Sequence, residues 1–90
     1  MCHYVYMLIS AHKEKYVSYV GYSKDPKKRL IKHNLGLGAK FTRGRQWNII
    51  YKKKLKNKSE ALKFEYNLKK DIKLRNSIKE RFINDYSSKR

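Results

Sequence analysis

Glu65 stands in the stretch SEALKFEYNLKKDI, residues 59–72, whose Ala61, Leu62, Leu68 and Ile72 recur at helical spacing. At about 100° per residue it falls in the middle of the face those residues share, flanked by Ala61 and Ile72. A carboxylate on a closing apolar face is costly, so two readings compete. In one, Glu65 is exposed and pairs with Lys69, four residues on. In the other, the face stays open and the carboxylate points into a cleft, where it could hold a divalent cation. A lone carboxylate suits one magnesium ion, or manganese in its place, that keeps most of its waters and takes the remaining contact from a substrate phosphate. Arg29 and His33 are four apart and lie on one side of a helix, with Leu30, Ile31 and Leu35 on roughly the other. That side is either a solvated basic face or a guanidinium clamp for a phosphate with an imidazole beside it. Tyr4, Tyr6, Tyr16, Tyr19 and Tyr22 crowd two apolar segments. Tyrosines in strands mostly pack, yet by alternation Tyr6 shares a face with Tyr4 and Leu8, and Tyr19 with Val17 and Gly21. Either hydroxyl could reach a reaction centre at a sheet surface.

The elements that must position these groups are readable. YVYMLI, residues 4–9, is β-branched and aromatic and reads as a buried strand. AHKEK follows as a loop or hairpin turn, and YVSYVGY, residues 16–22, as a second, antiparallel strand. Gly21 within it marks a bulge or a close approach of a ligand. SKDPKKRLIKHNLG reads as a helix capped by Asp25, opened by Pro26 and ended by Gly36. LGLGAKFTRGRQ is a basic loop, and WNIIYKKKL, residues 47–55, a third strand. Ser59 is placed as the cap of the helix that carries Glu65, with Glu60 in its first turn. Ser77 and Glu80 form a capping box before a last short helix, residues 78–84. The order is β-β-α-β-α-α, an α+β domain with a small three-stranded antiparallel sheet flanked by helices.

Charge narrows the function. The 90 residues carry 24 Lys and Arg against 7 Asp and Glu, a net +17. So large an excess on so small a body repels itself, and a polyanionic partner is the natural complement, nucleic acid before a membrane surface. The cations are spread along the chain rather than gathered on one amphipathic helix. The 13% aromatic content argues against a disordered tail. No apolar run approaches the roughly 18 residues of a membrane span, and the N-terminus lacks a secretory pattern. A single cysteine, Cys2, permits no internal disulfide, so an intracellular, reducing setting is expected. A zinc cluster of Cys2, His3, His12 and His33 matches no standard spacing.

Taken together the motifs resemble one family. YVY at 4–6 and YVG at 19–21 are followed by an arginine eight residues past the glycine. Then come R-x-x-x-H-N at 29–34, G-A-x-x-T-R-G-R-x-W at 38–47 and S-E-A-L-x-x-E at 59–65. This pattern resembles the GIY-YIG nuclease superfamily over nearly the whole chain. It is especially similar to the catalytic subunit of the eukaryotic structure-specific endonuclease that cuts flaps and Holliday junctions, and to short single-domain bacterial members. Both tripeptides are variants, with Tyr4-Val5 for Gly-Ile and Val20 for Ile, swaps that keep strand propensity.

The resemblance implies one nuclease domain over residues 1–90 that hydrolyses DNA phosphodiesters with one divalent metal, leaving a 5′-phosphate and a 3′-hydroxyl. It makes Tyr6 and Tyr19 the tyrosines of the two tripeptides, Arg29 the catalytic arginine and His33 the histidine of several branches. Glu65 becomes the metal ligand, holding magnesium or manganese on the leaving-group side. Tyr6 is the expected general base, with Tyr19 and His33 positioning water or relaying the proton. A free tyrosine titrates near pH 10, so Tyr6 needs nearby positive charge to serve near neutral pH, which the basic surroundings could supply. Some branches use a late asparagine, for which Asn67, Asn76 and Asn84 are candidates. Lys40, Arg43 and Arg45 in the basic loop, with Lys24, Lys27 and Lys28 near the first helix, are expected to grip the phosphate backbone. Branched DNA is the expected partner, read by shape. Longer relatives carry a targeting domain, and a protein scaffold is a plausible substitute for one here. The competing reading is a non-catalytic nucleic-acid-binding module that keeps the fold.

Overall fold

The computed structural model describes residues 2–12 and 15–88. Strand β1 (His3–His12) pairs antiparallel with β2 (Lys15–Ser23) on one side and with β3 (Asn48–Leu55) on the other, giving the sheet order β2-β1-β3. The central strand is covered on both faces, and Val5, Tyr6, Met7, Leu8 and Ile9 are all buried. That explains its near-continuous apolar run. A fully buried Met7 or Leu8 contributes about 1.5–3 kcal/mol.

The two faces have different coverings because side chains alternate along a strand. Val5, Met7 and Val20 meet Ala61 and Leu68, with half-buried Phe64, Tyr51 and Ile78 around them. Tyr6 and Leu8 meet Trp47, with Val17, Tyr19, Leu30 and Ile49 around them. The pairing Tyr6↔Gly21 is regular, so Gly21 marks no bulge. The irregularity lies between Met7 and Leu8, against β3.

Helix α1 (Pro26–Asn34) begins and ends as the sequence predicts. Asp25 accepts from the Lys28 N–H at 3.2 Å. Gly36, at φ +78°, reverses the chain, the Leu37 N–H reaches the Lys32 carbonyl at 2.8 Å, and the Gly36 N–H reaches that of His33 at 3.1 Å. Helix α2 (Lys58–Lys70) is capped by Asn57 rather than Ser59, its side chain accepting from the Glu60 N–H at 2.8 Å. Asparagine caps as well as serine does, and β3, ending at Leu55, delivers Asn57 to the helix start first.

The last helix, α3 (Ile72–Ser88), is 17 residues long and not short. Asp71 caps it, accepting from the Leu74 N–H at 3.0 Å, so Ser77 and Glu80 fall inside the helix and no box forms there. The break at Asp71 also removes Ile72 from the face of α2. Ile72 is 61% and Leu62 44% exposed, and the stripe that α2 buries is Ala61, Phe64 and Leu68. Glu65 therefore borders that stripe instead of interrupting it. Among the described residues no helix is long and apolar enough to cross a membrane.

Candidate active site

Tyr6 starts the site. Its ring lies over the β2 backbone opposite Gly21, and a Cβ added there would sit 2.5 Å from the Tyr6 hydroxyl oxygen. The close approach expected at Gly21 is thus met by a side chain of the same sheet. The Tyr6 hydroxyl lies 3.0 Å from His33 Nε2. On the other side of the imidazole, Nδ1 lies 2.8 Å from Thr42 Oγ1, and that hydroxyl donates to the Ala39 carbonyl at 2.8 Å. The direction of the chain follows from its end. A carbonyl can only accept, so Thr42 spends its proton on Ala39 and must accept from His33 Nδ1–H. Nε2 then carries the free lone pair, and Tyr6 donates to it.

His33 is fully buried, and the side of α1 that bears it faces inward, whereas Ile31 and Leu35 are 59% and 67% exposed. Leu30 packs inward beside Tyr6 and Leu8 as well, so of the two readings of the Arg29–His33 side the solvated basic face is excluded. Gly38 makes room for the imidazole, because a Cβ there would overlap His33 Nδ1.

Arg29, one turn before His33, lies against the Tyr6 hydroxyl, and its Nε is buried with no hydrogen-bond partner. Arg75 Nε on α3 is likewise buried without a partner; what distinguishes Arg29 is the Tyr6 hydroxyl beside it. Tyr19 packs its ring 5.2 Å from that of His33, centroid to centroid, and completes the group. Glu65 is half-buried, its charge is felt at the Tyr6 hydroxyl, and it also meets Lys69 Nζ at 3.6 Å. The first reading of this carboxylate, the pair with Lys69, is present as a loose contact, and its other side lies toward the polar cluster. Tyr6, Tyr19, Arg29, His33 and Glu65, drawn from β1, β2, α1 and α2, are thus brought together.

A divalent ion fits this set in one manner. Among the described residues no group of three or more His, Cys, Asp and Glu could hold a metal. An ion beside Glu65 would keep most of its waters, as magnesium does. The zinc alternative loses His33, both of whose ring nitrogens are engaged, and the side chain of His12 lies outside the described residues.

Burial raises the Tyr6 pKa and outweighs the opposing pull of Arg29. The positive charge that a tyrosinate base would need is therefore insufficient here, and Tyr6 stays a donor to His33. Burial, and then the Arg29 charge, hold His33 below its ordinary value of 6.5. The unfolded chain therefore binds a proton near that pH which the folded chain refuses until lower pH, so stability is full above 6.5 and is lost as pH falls through the folded value. The urea midpoint of the wild type is expected to drop between about pH 7.5 and about pH 5.5, and that of His33→Gln to drop less. Equal drops would contradict it.

Thr42 is the residue that sequence reasoning missed. It is fully buried, and Trp47 Nε1 donates to its carbonyl at 2.9 Å. Asn34 fixes the same loop from the helix side. Its Oδ1 accepts from the Trp47 N–H at 2.6 Å and its Nδ2 donates to the Trp47 carbonyl at 3.2 Å. The only available signal was the threonine and tryptophan within the loop motif, to which no pattern rule gives partners. Thr42→Val keeps the shape and removes the acceptor, which is expected to destabilise by about 1–3 kcal/mol. It also releases the His33 tautomer, visible in its imidazole 15N shifts, and Thr42→Ser restores both.

The expected phosphate-gripping cations divide into two groups. Lys24, Lys27 and Lys28 are exposed around the start of α1, and Lys40 and Arg43 are exposed on the loop, with Arg45 half-buried. Arg43 and Arg45 line a cleft of about 480 Å³ with Ser10 and Ala11. Ser10 lies four residues along β1 from Tyr6, about 13 Å at 3.3 Å per residue. Asn67, Asn76 and Asn84 are all exposed, and none is singled out by contact with the cluster.

A sheet of three antiparallel strands with tyrosine, histidine, arginine and carboxylate gathered beside its central strand makes this a small α+β domain of the GIY-YIG class. The chain belongs to the GIY-YIG family: the family's GIY-YIG catalytic domain matches residues 2–86. It is similar to a UPF0213 protein of Staphylococcus saprophyticus, 48% identical over 68 residues, which are 74% of this chain and 79% of the relative. A UPF0213 protein of Oceanobacillus iheyensis is 44% identical over 68 residues, covering 74% and 76% of the two chains. Among solved structures, the solution NMR structure of a UPF0213 protein from Bacillus halodurans is 33% identical, covers 93% of this chain and 84% of that one, and has a TM-score of 0.45.

Proposed function

We propose that this protein is a divalent-metal-dependent endonuclease that hydrolyses DNA phosphodiester bonds, with a preference for branched or flapped DNA, and serves repair or recombination inside the cell. The observation that carries this reading is the buried, unpartnered Nε of Arg29 beside the Tyr6–His33 pair. A guanidinium with an unspent buried donor is matched by a phosphoryl oxygen. Glu65 would hold the metal, whose chemistry is to neutralise charge on the leaving oxygen.

In this mechanism Tyr6 accepts a proton from the attacking water while passing its own to His33 Nε2. The Nδ1–H···Thr42 bond keeps that nitrogen available as an acceptor. This relay removes the need for a tyrosinate, which burial disfavours. Arg29 stabilises the charge that grows on the phosphoryl oxygens, and Tyr19 holds the imidazole from its other edge. Lys24, Lys27, Lys28, Lys40, Arg43 and Arg45 grip backbone phosphates, which position DNA without reading its bases.

The test incubates purified protein with labelled branched DNA and plain duplex, with magnesium and with chelator, beside Glu65→Ala. Magnesium-dependent cutting that vanishes in the variant is the expected result. Binding measured in parallel should weaken steeply with salt, log K falling by several units per unit of log salt. Tight binding without cutting under magnesium or manganese would favour the non-catalytic module, and a flat salt response would refute phosphate gripping.

A further inference from the structure

An aromatic ring stands outside the cluster with no catalytic task. Phe41 is 57% exposed although the residue after it, Thr42, is fully buried. The two sit in a short 3-10 turn (Lys40–Thr42) closed by the Thr42 N–H on the Ala39 carbonyl at 3.0 Å. The turn is pinned from inside by the bonds of Thr42 to His33 and Ala39 and by the Trp47 indole. Phe41 is thus held at a fixed place by its neighbour and not by its own burial.

The inward side of its ring is backed by aromatics. It lies nearly parallel to Tyr19, at 20° with centroids 6.2 Å apart, and 6.3 Å from Trp47. Tyr19 in turn touches His33. Two ring contacts therefore join this surface to the reacting centre. On either side along the chain stand exposed cations, Lys40 and Arg43.

Single exposed apolar residues are ordinary and require no explanation. A rigid ring, backed by a stack, flanked by cations and two contacts from the site is a different object. It offers a flat π-face where a polyanion's backbone would pass.

We infer that Phe41 is a stacking platform for an unpaired nucleobase adjoining the phosphate that is cut. The inference rests on the reading of the protein as a DNA nuclease and adds to it a means of telling branched from continuous DNA. Every base has a π-face, so the platform is indifferent to sequence. Bases inside an intact duplex are already stacked and cannot use it, whereas those at a flap or gap can. Lys40 and Arg43 hold the phosphates on each side of the stacked nucleotide.

The test uses a duplex with a single-stranded flap that carries 2-aminopurine at its first unpaired positions. Its fluorescence is quenched by stacking, and chelator prevents cutting. Wild type is expected to quench the probe. Phe41→Leu, which keeps apolar bulk without a π-face, should lose the quench and bind the flap roughly tenfold more weakly. Its loss on blunt duplex should be much smaller, and Phe41→Trp should restore the flap signal. Circular dichroism of each variant separates a folding defect from a stacking one, and Phe41→Tyr replaces Phe41→Trp if the larger ring unfolds the turn. Quench and affinity in Phe41→Leu equal to wild type would overturn the platform, as would a wild type that binds no flap. Because the readout is metal-free binding, a wild type that quenches but never cuts would sink the nuclease reading and leave the platform standing. A Phe41→Leu variant that cuts flaps in magnesium as well as wild type does, with no loss of quench, would do the reverse.

Discussion

Arg29→Lys is expected to abolish cleavage almost as fully as Arg29→Ala, by at least about a hundredfold, with DNA binding within a few fold of wild type. Charge is kept in the first variant, so a role in overall attraction would predict a mild effect. The guanidinium does what an ammonium cannot. It lies against the Tyr6 hydroxyl while its buried Nε remains free to meet a second acceptor. A lysine is a compact, strongly hydrated point charge without the planar fork. It would either draw water into the cluster or leave the phosphoryl oxygen unmet. Rates at saturating DNA and binding by fluorescence anisotropy make the comparison. Cutting by Arg29→Lys within tenfold of wild type would show that the arginine acts through charge alone.

Gly21→Ala should be nearly as damaging from the other side of the tyrosine, although it removes no functional group. The new Cβ would lie 2.5 Å from the Tyr6 hydroxyl and 2.6 Å from its Cζ. Real contacts of that kind do not occur, and the ring cannot swing freely because His33 and the sheet enclose it. Overpacking of this sort costs about 1–3 kcal/mol. The Tyr6–His33 bond lengthens or breaks, and misplacement of a reacting group by about 1 Å can cost a further hundredfold in rate. Thermal denaturation reads the first effect and single-turnover cleavage the second. An alanine variant with wild-type melting and cutting would mean that the tyrosine ring has room to spare.

Much of the fold could be read because it depends on local rules. The three strands and α1 follow from apolar runs, a capping aspartate, a first-turn proline and a glycine that ends the helix. The errors came where several local signals competed and the path of the chain decided. Asn57 and Ser59 are both good caps, and the exit of β3 selected the first. Asp71 outranked the Ser77–Glu80 pair because it could break one helix and start the next. The same break puts Ile72 on a different helix from Glu65, so the carboxylate does not stand within a closed face. It is still peculiar, since it borders both the core and the polar cluster. Thr42, Asn34 and Trp47 could not be found by periodicity. Their bonds cross a loop, and no repeat distance encodes a hydrogen bond between residues 33 and 42 or between 34 and 47.

The paired bonds between the Asn34 amide and the Trp47 backbone have a consequence for how such a domain can diversify. Asn34 presents a donor and an acceptor to one residue as a neighbouring strand would, and so fastens both ends of the intervening loop to the scaffold. Thr42 divides that loop in two. The first part holds the imidazole through Gly38 and Thr42, so a change in its length would displace His33. The second, residues 43–46, bears Arg43 and Arg45, turns at Gly44 with φ +76° and borders the open cleft. Lengthening it would add little closure entropy, about 0.6 kcal/mol per doubling, and would leave the clasped ends in place. Grafting this short segment between relatives should therefore change the strength of the grip on backbone phosphates, while the chemistry and the ring of Phe41 stay with the host.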